Sequence, residues 1–178
     1  SERGRANLDK LSSSAAQLLQ LLNDILDFSK VEAGELALDN SDFDLSRLID
    51  DAVGAVGLQA AEKGLEWSVN LDAAPAIWHG DAQRIGQILR NLLSNAVKFT
   101  PEGSISIQAQ PLRPDDGDTA WLLLQVEDSG IGMTREQTQK VFDAFVQGDG
   151  SLTRAYGGTG LGLSIVRSLA HCMGGEVQ

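Results

Sequence analysis

An apolar seam near the amino terminus constrains the fold of this chain more than any other feature. Apolar residues recur there at alternating steps of three and four, at Leu8, Leu11, Ala15, Leu18, Leu22 and Ile25. That spacing predicts one long helix from about Ala6 to Ala33, of the kind found in coiled coils and helical bundles. The helix must bury this seam against partner helices or against its own globular domain, and the sequence leaves both arrangements open.

The rest of the chain mixes helical and strand patterns without a strict βαβ order. Helical patterns cover Leu45–Lys63 after a capping Asp44, then Asp81–Phe99, Thr134–Phe142 and Thr159–Cys172. Strand patterns cover Leu65–Leu71, Ser104–Gln110 and Trp121–Glu127, and a further strand is predicted to begin at Gly174–Val177. Asp39–Asp44 and Pro75–Gly80 are predicted to be connecting loops. The mixture predicts an α+β fold, a two-layer α/β sandwich preceded by one long helix.

The charge balance limits the partners of the chain. A net charge of −11, from 14 basic and 25 acidic residues, argues against a nucleic-acid footprint and against binding to an anionic membrane surface. A bound polyanion would therefore need positive charge supplied locally. The single cysteine, Cys172, excludes an intrachain disulfide, and no apolar run reaches membrane-spanning length.

Two asparagines and a lysine share one face of the helix predicted at Asp81–Phe99. Asn91, Asn95 and Lys98 lie at i, i+4 and i+7. An amide oxygen is a hard neutral ligand suited to Mg²⁺, and a lysine ammonium suits a phosphate. A solvated polar helix face is the alternative interpretation of the same spacing.

Two glycine-rich segments follow. Asp128 ends a buried strand pattern and can accept an amino N–H, while Gly130 and Gly132 permit close backbone approach to a flat ligand. Residues 157–163 (GGTGLGL) set glycines at the start of the last helix, where free N–H groups favour an anion. No G-K-[ST] follows, so this is not a Walker A loop. Taken alone, the first segment also fits an Asp-led turn and the second a flexible linker.

The order and spacing of these segments resemble the ATP-binding domain of sensor histidine kinases, DNA gyrase, heat-shock chaperones and mismatch-repair ATPases, and most of all the histidine kinases. Residues 91–100, 128–133 and 157–163 match the N box and the two glycine boxes of that family. Residues 142–145 (FDAF) match the F box, and residues 147–154 resemble the lid. Residues 22–34 resemble the second helix of the dimerisation and phosphotransfer hairpin.

The resemblance implies two cofactors, ATP and Mg²⁺, and a role for each matching residue. Asn95 would coordinate Mg²⁺ with Asn91 close by, Lys98 would contact phosphate, and Asp128 would bind the adenine amino group. The remaining implied residues shape the adenine pocket (Gly130, Gly132), pack at the hinge of the lid (Phe145), contact the γ-phosphate (Arg154) or line the phosphates (Gly158, Thr159, Gly160, Leu161, Gly162).

The resemblance also implies a division of the chain at about residue 40. Residues 1–40 would form the second helix of an incomplete hairpin, and residues 41–178 the ATP-binding catalytic domain without its closing strands. The phosphate-accepting histidine of the family lies on the first hairpin helix, and neither His79 nor His171 has a matching context. The acceptor is therefore expected outside this chain.

The implied function is a protein-histidine kinase module. The resemblance is compatible with a parent kinase of the hybrid type. Its expected partners are a second kinase chain, through the N-terminal helix, and the receiver domain of a response regulator. The expectation is a cytoplasmic domain, and any anchor in the inner membrane would belong to other parts of the parent protein. Two alternatives stay open: a non-catalytic regulatory module that uses ATP binding as a switch, and an ATP-hydrolysing clamp of the gyrase or chaperone type.

Overall fold

A computed structural model describes residues 15, 18–19, 22–23, 25–26, 29–31, 33–112, 120–143 and 160–178. We call α1 the described helical residues between 15 and 31. The further helices are α2 (Leu45–Glu62), α3 (Ala82–Phe99), α4 (Arg135–Lys140) and α5 (Gly162–Cys172). The strands are β1 (Ser41–Asp44), β2 (Glu66–Asn70), β3 (Ile77–Gly80), β4 (Ser104–Leu112) and β5 (Trp121–Asp128).

The helices α2 and α3 begin at side-chain caps that the sequence predicts. Asp44 and Asp81 are extended N-cap residues, and each carboxylate accepts the backbone N–H three residues ahead. Helix α2 is followed by Gly64 at φ +65°, a left-handed conformation that glycine adopts without steric cost. The predicted positions of both helices are therefore confirmed to within about two residues.

The strands form two small sheets in the described part of the chain. β2 and β4 pair in parallel and β4 and β5 pair antiparallel, giving the order β2-β4-β5. β1 and β3 form a separate antiparallel pair, in which Phe43 lies opposite Trp78. The prediction of loops at Asp39–Asp44 and Pro75–Gly80 was wrong at these two strands, because each is only four residues long and pairs with a distant partner. The predicted strand at Gly174–Val177 was also wrong, because residues 175–178 are not paired within the described structure.

The main core lies between the α2–α3 helix layer and the three-stranded sheet. Buried residues of α2 and α3 pack on the inward face of β4, and the most completely buried members are Leu45, Ile49, Leu89, Leu93, Ile105 and Ile107. Burial of each such side chain contributes about 1.5–3 kcal/mol. The α+β fold with a mixed sheet predicted from the sequence is confirmed, and its core fixes the position of α3, the helix that carries the N-box residues.

Helix α5 packs on the other side of α3 and builds a second cluster. Its buried residues Leu161, Ile165 and Leu169 contact Ile88 of α3 and also Val31 and Leu36 from the amino-terminal region. The carboxyl-terminal end of α1 therefore packs against α5. Gly34, at φ +67°, follows this helical stretch. This packing brings the first residues of α5 against the polar face of α3.

The apolar stripe of α1 is exposed where the structure describes it. Leu18, Leu19, Leu22, Ile25 and Leu26 are each 48–66% exposed. The alternative in which this stripe packs on the chain's own domain does not hold for these five residues. Among the described residues, the structure has no helix that is both long and apolar enough to cross a membrane.

Candidate functional site

The two predicted asparagines lie at the start of α5. If Gly162 carried a Cβ, that atom would lie 3.9 Å from Oδ1 of Asn91 and 4.0 Å from Nδ2 of Asn95. Both amides are one turn apart on α3, so the helical period sets them side by side. The structure therefore brings Gly162 next to Asn91 and Asn95, whereas the sequence placed the glycine and the asparagines on separate segments.

The amino-terminal end of α5 has no side-chain cap. Leu161 occupies the N-cap position without a side-chain hydrogen bond to the helix, and Ser164 turns its hydroxyl back to the carbonyl of Leu161 at 2.8 Å. The first N–H groups of a helix have no intrahelical partners, and the helix dipole adds partial positive charge there. An anion at this end would lie beside the two asparagines, as expected for a phosphate group.

The amide groups of Asn91 and Asn95 at the start of α5 are suited to a hard cation together with phosphate groups. Among the described residues, no group of three His, Cys, Asp or Glu side chains could hold a metal. Nδ2 of Asn91 is buried and has no hydrogen-bond partner in the described structure. An unsatisfied buried N–H donor costs about 1–3 kcal/mol and indicates a position for an acceptor such as a phosphate oxygen, whereas the amide oxygen is the atom available to a metal ion. Amide oxygens combined with phosphate oxygens and water are the ligands that Mg²⁺ accepts, so the residues present fit this ion.

Asp128 ends strand β5 and lies beside the carboxyl-terminal end of α3, next to Thr100. Its Oδ1 accepts the backbone N–H of Gly130 at 2.9 Å and the hydroxyl of Thr100 at 3.4 Å. Neither bond uses Oδ2, and no described residue donates to that oxygen. The carboxylate is thus fixed by one oxygen and offers the other, as an acceptor for an amino group requires.

The two glycines after Asp128 have different structural roles. Gly132 adopts φ +65°, the left-handed conformation that the sequence allowed for. Gly130 does not adopt that conformation; it is required because a Cβ there would collide with the carbonyl oxygen of Phe99 and lie 2.7 Å from Oδ1 of Asp128. The adjacent N–H of Ile131 donates to the same Phe99 carbonyl at 3.2 Å. The glycine loop is therefore held directly against the end of α3.

Lys98 is half-buried on α3 and has no acidic partner among the described residues. Its Nζ lies 4.7 Å from the centroid of the Phe99 ring, a cation–π distance. Desolvation by burial lowers the pKa of its ammonium from the ordinary value of 10.5. A positive charge that is partly desolvated and unpaired favours an anionic ligand.

Four predicted site residues lie outside the described residues: Phe145, Arg154, Gly158 and Thr159. The lid sequence at 147–154 lies outside them as well. Of the F box, Asp143 is described and forms an ion pair with Arg167 of α5 at 3.4 Å. The predicted roles of the lid and of the second glycine box before Gly160 therefore stay predictions.

The two histidines lie on exposed surfaces. Nδ1 of His79 is 2.8 Å from Oδ1 of Asp42 across the β1–β3 pair, so this histidine is in a strand and not in the predicted loop. His171 is exposed in the last turn of α5, near the end that favours a cation. Neither belongs to the group of site residues described above.

Sequence reasoning missed the contribution of Thr100. Its pattern indicated only a helix end, but the structure shows a completely buried side chain that donates to Asp128 from 28 residues away. No local spacing rule links two residues so far apart. The contact between the buried Thr100 hydroxyl and the Asp128 carboxylate becomes visible only when α3 and β5 are packed together, so the sequence alone gave no signal for it.

A family comparison covers more than half of the chain. Residues 80–178 match the family described as histidine kinase-, DNA gyrase B- and HSP90-like ATPase. That range contains α3, the Asp128 loop and α5, the elements that form the site.

Individual relatives narrow the comparison. The chain is 44% identical over 171 residues to the sensor protein GacS of Pseudomonas syringae pv. syringae, covering 96% of this chain and 19% of that protein. It is 42% identical over 172 residues to the hybrid signal transduction histidine kinase B of Dictyostelium discoideum, covering 96% of this chain and 9% of that protein. The chain thus spans less than a fifth of the length of these two relatives.

A solved structure supports the same assignment. Full-length ShkA, in complex with AMPPNP, superposes with a TM-score of 0.77 at 33% identity, over 96% of this chain and 34% of that one. These relatives are sensor and histidine kinases, so the clamp of the gyrase or chaperone type is set aside. The chain belongs to the histidine kinase-, DNA gyrase B- and HSP90-like ATPase family, and within it is the ATP-binding catalytic domain of a sensor histidine kinase.

Proposed function

We propose that the chain binds Mg-ATP along α3 and transfers the γ-phosphoryl group to a histidine on a helix outside this chain. The observation that carries the proposal is the juxtaposition of Asn91 and Asn95 with the uncapped start of α5. Two amides there lie beside the first backbone N–H groups of α5, a combination that suits a phosphate chain. Asp128, at the end of β5, would hold adenine beside the carboxyl-terminal end of α3.

The chain's own residues would act by positioning and by charge stabilisation. Asn95, with Asn91 beside it, would hold the metal ion, and Lys98 with the N–H groups of α5 would bind phosphate oxygens. Mg²⁺, when bound, supplies positive charge shared between phosphate oxygens. The transfer forms a bond from an imidazole nitrogen to the γ-phosphorus and breaks the bond to the β–γ bridging oxygen, leaving ADP.

The acceptor helix is proposed to dock through α1. The exposed stripe at residues 18–26 supports this, because an exposed apolar stripe at this spacing is typical of a helix surface that pairs with another helix. We propose residues 1–40 as the second helix of a dimerisation hairpin and residues 41–178 as the catalytic domain. A second copy of the chain or a related kinase would pair with α1, and a receiver domain of a response regulator would take the phosphoryl group onward.

The test uses the chain, γ-labelled ATP and a separate helical fragment that carries an acceptor histidine. Label lost in acid and retained in base should appear on the fragment and not on the chain itself. The double variant Leu18→Glu with Leu22→Glu should bind ATP normally but lose both pairing, measured by light scattering, and transfer. Label on the chain that is removed by His79→Gln or His171→Gln would contradict an external acceptor. Absence of label on the fragment, despite measured pairing and ATP binding, would favour the regulatory module.

A further inference from the structure

The carboxyl-terminal end of α3 is held by a lysine from another helix. The ammonium of Lys63, the C-cap residue of α2, donates to the backbone carbonyls of Val97, Lys98 and Thr100 at 2.5, 3.1 and 3.2 Å. The last carbonyls of a helix have no intrahelical partners, and a cation at that end also complements the helix dipole. An ammonium has three N–H donors, so each one matches one carbonyl.

Among the backbone carbonyls of residues 97–100, Lys63 contacts all except that of Phe99. The Phe99 carbonyl instead contacts the loop of residues 128–132. The oxygen of Phe99 accepts the N–H of Ile131 at 3.2 Å and packs against Gly130. The next residue, Thr100, donates its hydroxyl to Asp128 at 3.4 Å. The segment 97–100 is therefore bound by Lys63 on one side and by the Asp128 loop on the other.

We propose that Lys63 is a positioning residue for the adenine end of the nucleotide site. By fixing three carbonyls it sets the orientation of the Phe99 carbonyl and the Thr100 hydroxyl, and these two groups hold the loop that carries Asp128. Without the ammonium, the three carbonyls must turn toward water, and the contacts to Ile131 and Asp128 loosen with them. The inference rests on the proposed function only in taking Asp128 as the partner of adenine.

The proposal distinguishes Lys63 from a residue that merely stabilises the fold. Lys63→Met keeps most of the aliphatic stem and removes all three donors. Lys63→Arg keeps the charge, but a planar guanidinium cannot point three donors at one converging set of carbonyls. The matched control is Asp44→Ala, which removes the N-cap at the opposite end of the same helix and leaves the end of α3 untouched.

The experiment measures the affinity of each variant of the chain for adenosine and for ATP by calorimetry, together with amide hydrogen exchange at Ile131 and Ile107. Lys63→Met should weaken adenosine binding about five- to tenfold and speed exchange at Ile131 by a similar factor, the size of one or two net hydrogen bonds. Exchange at Ile107, in the centre of β4, should follow global stability alone. Lys63→Arg should fall between wild type and Lys63→Met. Asp44→Ala should lower stability and speed exchange at Ile107 without changing adenosine affinity or exchange at Ile131.

Adenosine affinity of Lys63→Met within about twofold of wild type would overturn the inference, since one lost hydrogen bond exceeds that. Should Lys63→Met not fold, Lys63→Gln replaces it with the same threshold. Failure of both to fold would show that Lys63 acts in folding, which also overturns the inference. Asp128→Asn is measured in parallel: an unchanged adenosine affinity there contradicts the adenine site itself, whereas a weakened one with a normal Lys63→Met contradicts only the role of Lys63.

Discussion

The hydroxyl of Thr100, the residue after α3, donates to Oδ1 of Asp128, the last residue of β5, over 3.4 Å. This bond joins the end of the helix that carries the asparagines to the end of the strand that carries the proposed adenine acceptor. Since Oδ1 also accepts from Gly130, the carboxylate is held through that oxygen by two donors. The helix that carries the proposed phosphate residues is thus joined through Thr100 to the strand that carries the proposed adenine acceptor.

Thr100→Val tests the contribution of this bond. Valine fills nearly the same buried space, so stability should change by no more than about 1 kcal/mol, while ATP affinity should fall about two- to fivefold. The preference for ATP over GTP should fall as well, because Asp128 gains freedom to rotate. Calorimetry with both nucleotides measures this. Thr138→Val, at an exposed threonine of α4, is the control and should bind ATP normally.

Asn95→Ala tests the proposed metal ligand. The variant should lose most of the Mg²⁺ dependence of ATP binding, because the amide oxygen that completes the metal's ligand set is gone. Adenosine, which carries no phosphate, should bind about as well as it does to wild type. Ser94→Ala, one residue away on the exposed side of α3, should keep the Mg²⁺ dependence. If Mg²⁺ still strengthens ATP binding normally in Asn95→Ala, the assignment of this ligand is wrong.

Gly162→Ala tests the space between α5 and the two amides. Its added Cβ would occupy the space in van der Waals contact with Asn91 and Asn95, so ATP affinity should fall about tenfold while adenosine binding persists. Gly54→Ala is a matched control, because a Cβ at that helical position of α2 meets no atom within 4 Å. Both substitutions should leave stability unchanged or raise it by up to about 1 kcal/mol. Equal ATP binding in the two variants would show that phosphates do not occupy this space.

The lowered pKa of Lys98 predicts how stability and ATP affinity change with pH. Burial lowers its pKa below 10.5, so between the lowered value and 10.5 the unfolded chain binds a proton that the folded chain does not. The free energy of unfolding should therefore gain a contribution as pH rises through that window, and lose it as pH falls through the lowered pKa. Bound phosphate favours the charged ammonium, so ATP affinity should decline across the same window.

Lys98→Met should remove both trends. It should also weaken ATP about five- to tenfold at neutral pH, the loss expected for one charge-assisted contact at a half-exposed position. Chemical denaturation and calorimetry across the window measure the two effects. Lys140→Met is the control, since that lysine is exposed and paired with Glu136 at 2.9 Å. An ATP affinity in Lys98→Met that matches wild type at neutral pH would exclude Lys98 from the phosphate site.

The parts of the fold that the sequence predicted depend on local interactions. Asp44 and Asp81 cap helices through hydrogen bonds three residues ahead, and the asparagines share a face because the helical period is local. The pairing of Phe43 with Trp78 joins residues far apart in sequence, so two short strands looked like loops. Thr100 and Lys63 were missed for the same reason, because they act on partners 28 and 34–37 residues away.

Asp128, as the proposed acceptor for adenine, is the residue on which the proposed ATP site depends most. Titration calorimetry of ATP and GTP, with wild type and Asp128→Asn compared at equal Mg²⁺, tests it directly. A hydrogen bond to a charged acceptor contributes about 1.5–3 kcal/mol, so the substitution should weaken ATP at least about tenfold and reduce its preference over GTP. A folded Asp128→Asn protein that binds ATP with the affinity and selectivity of wild type would contradict the account.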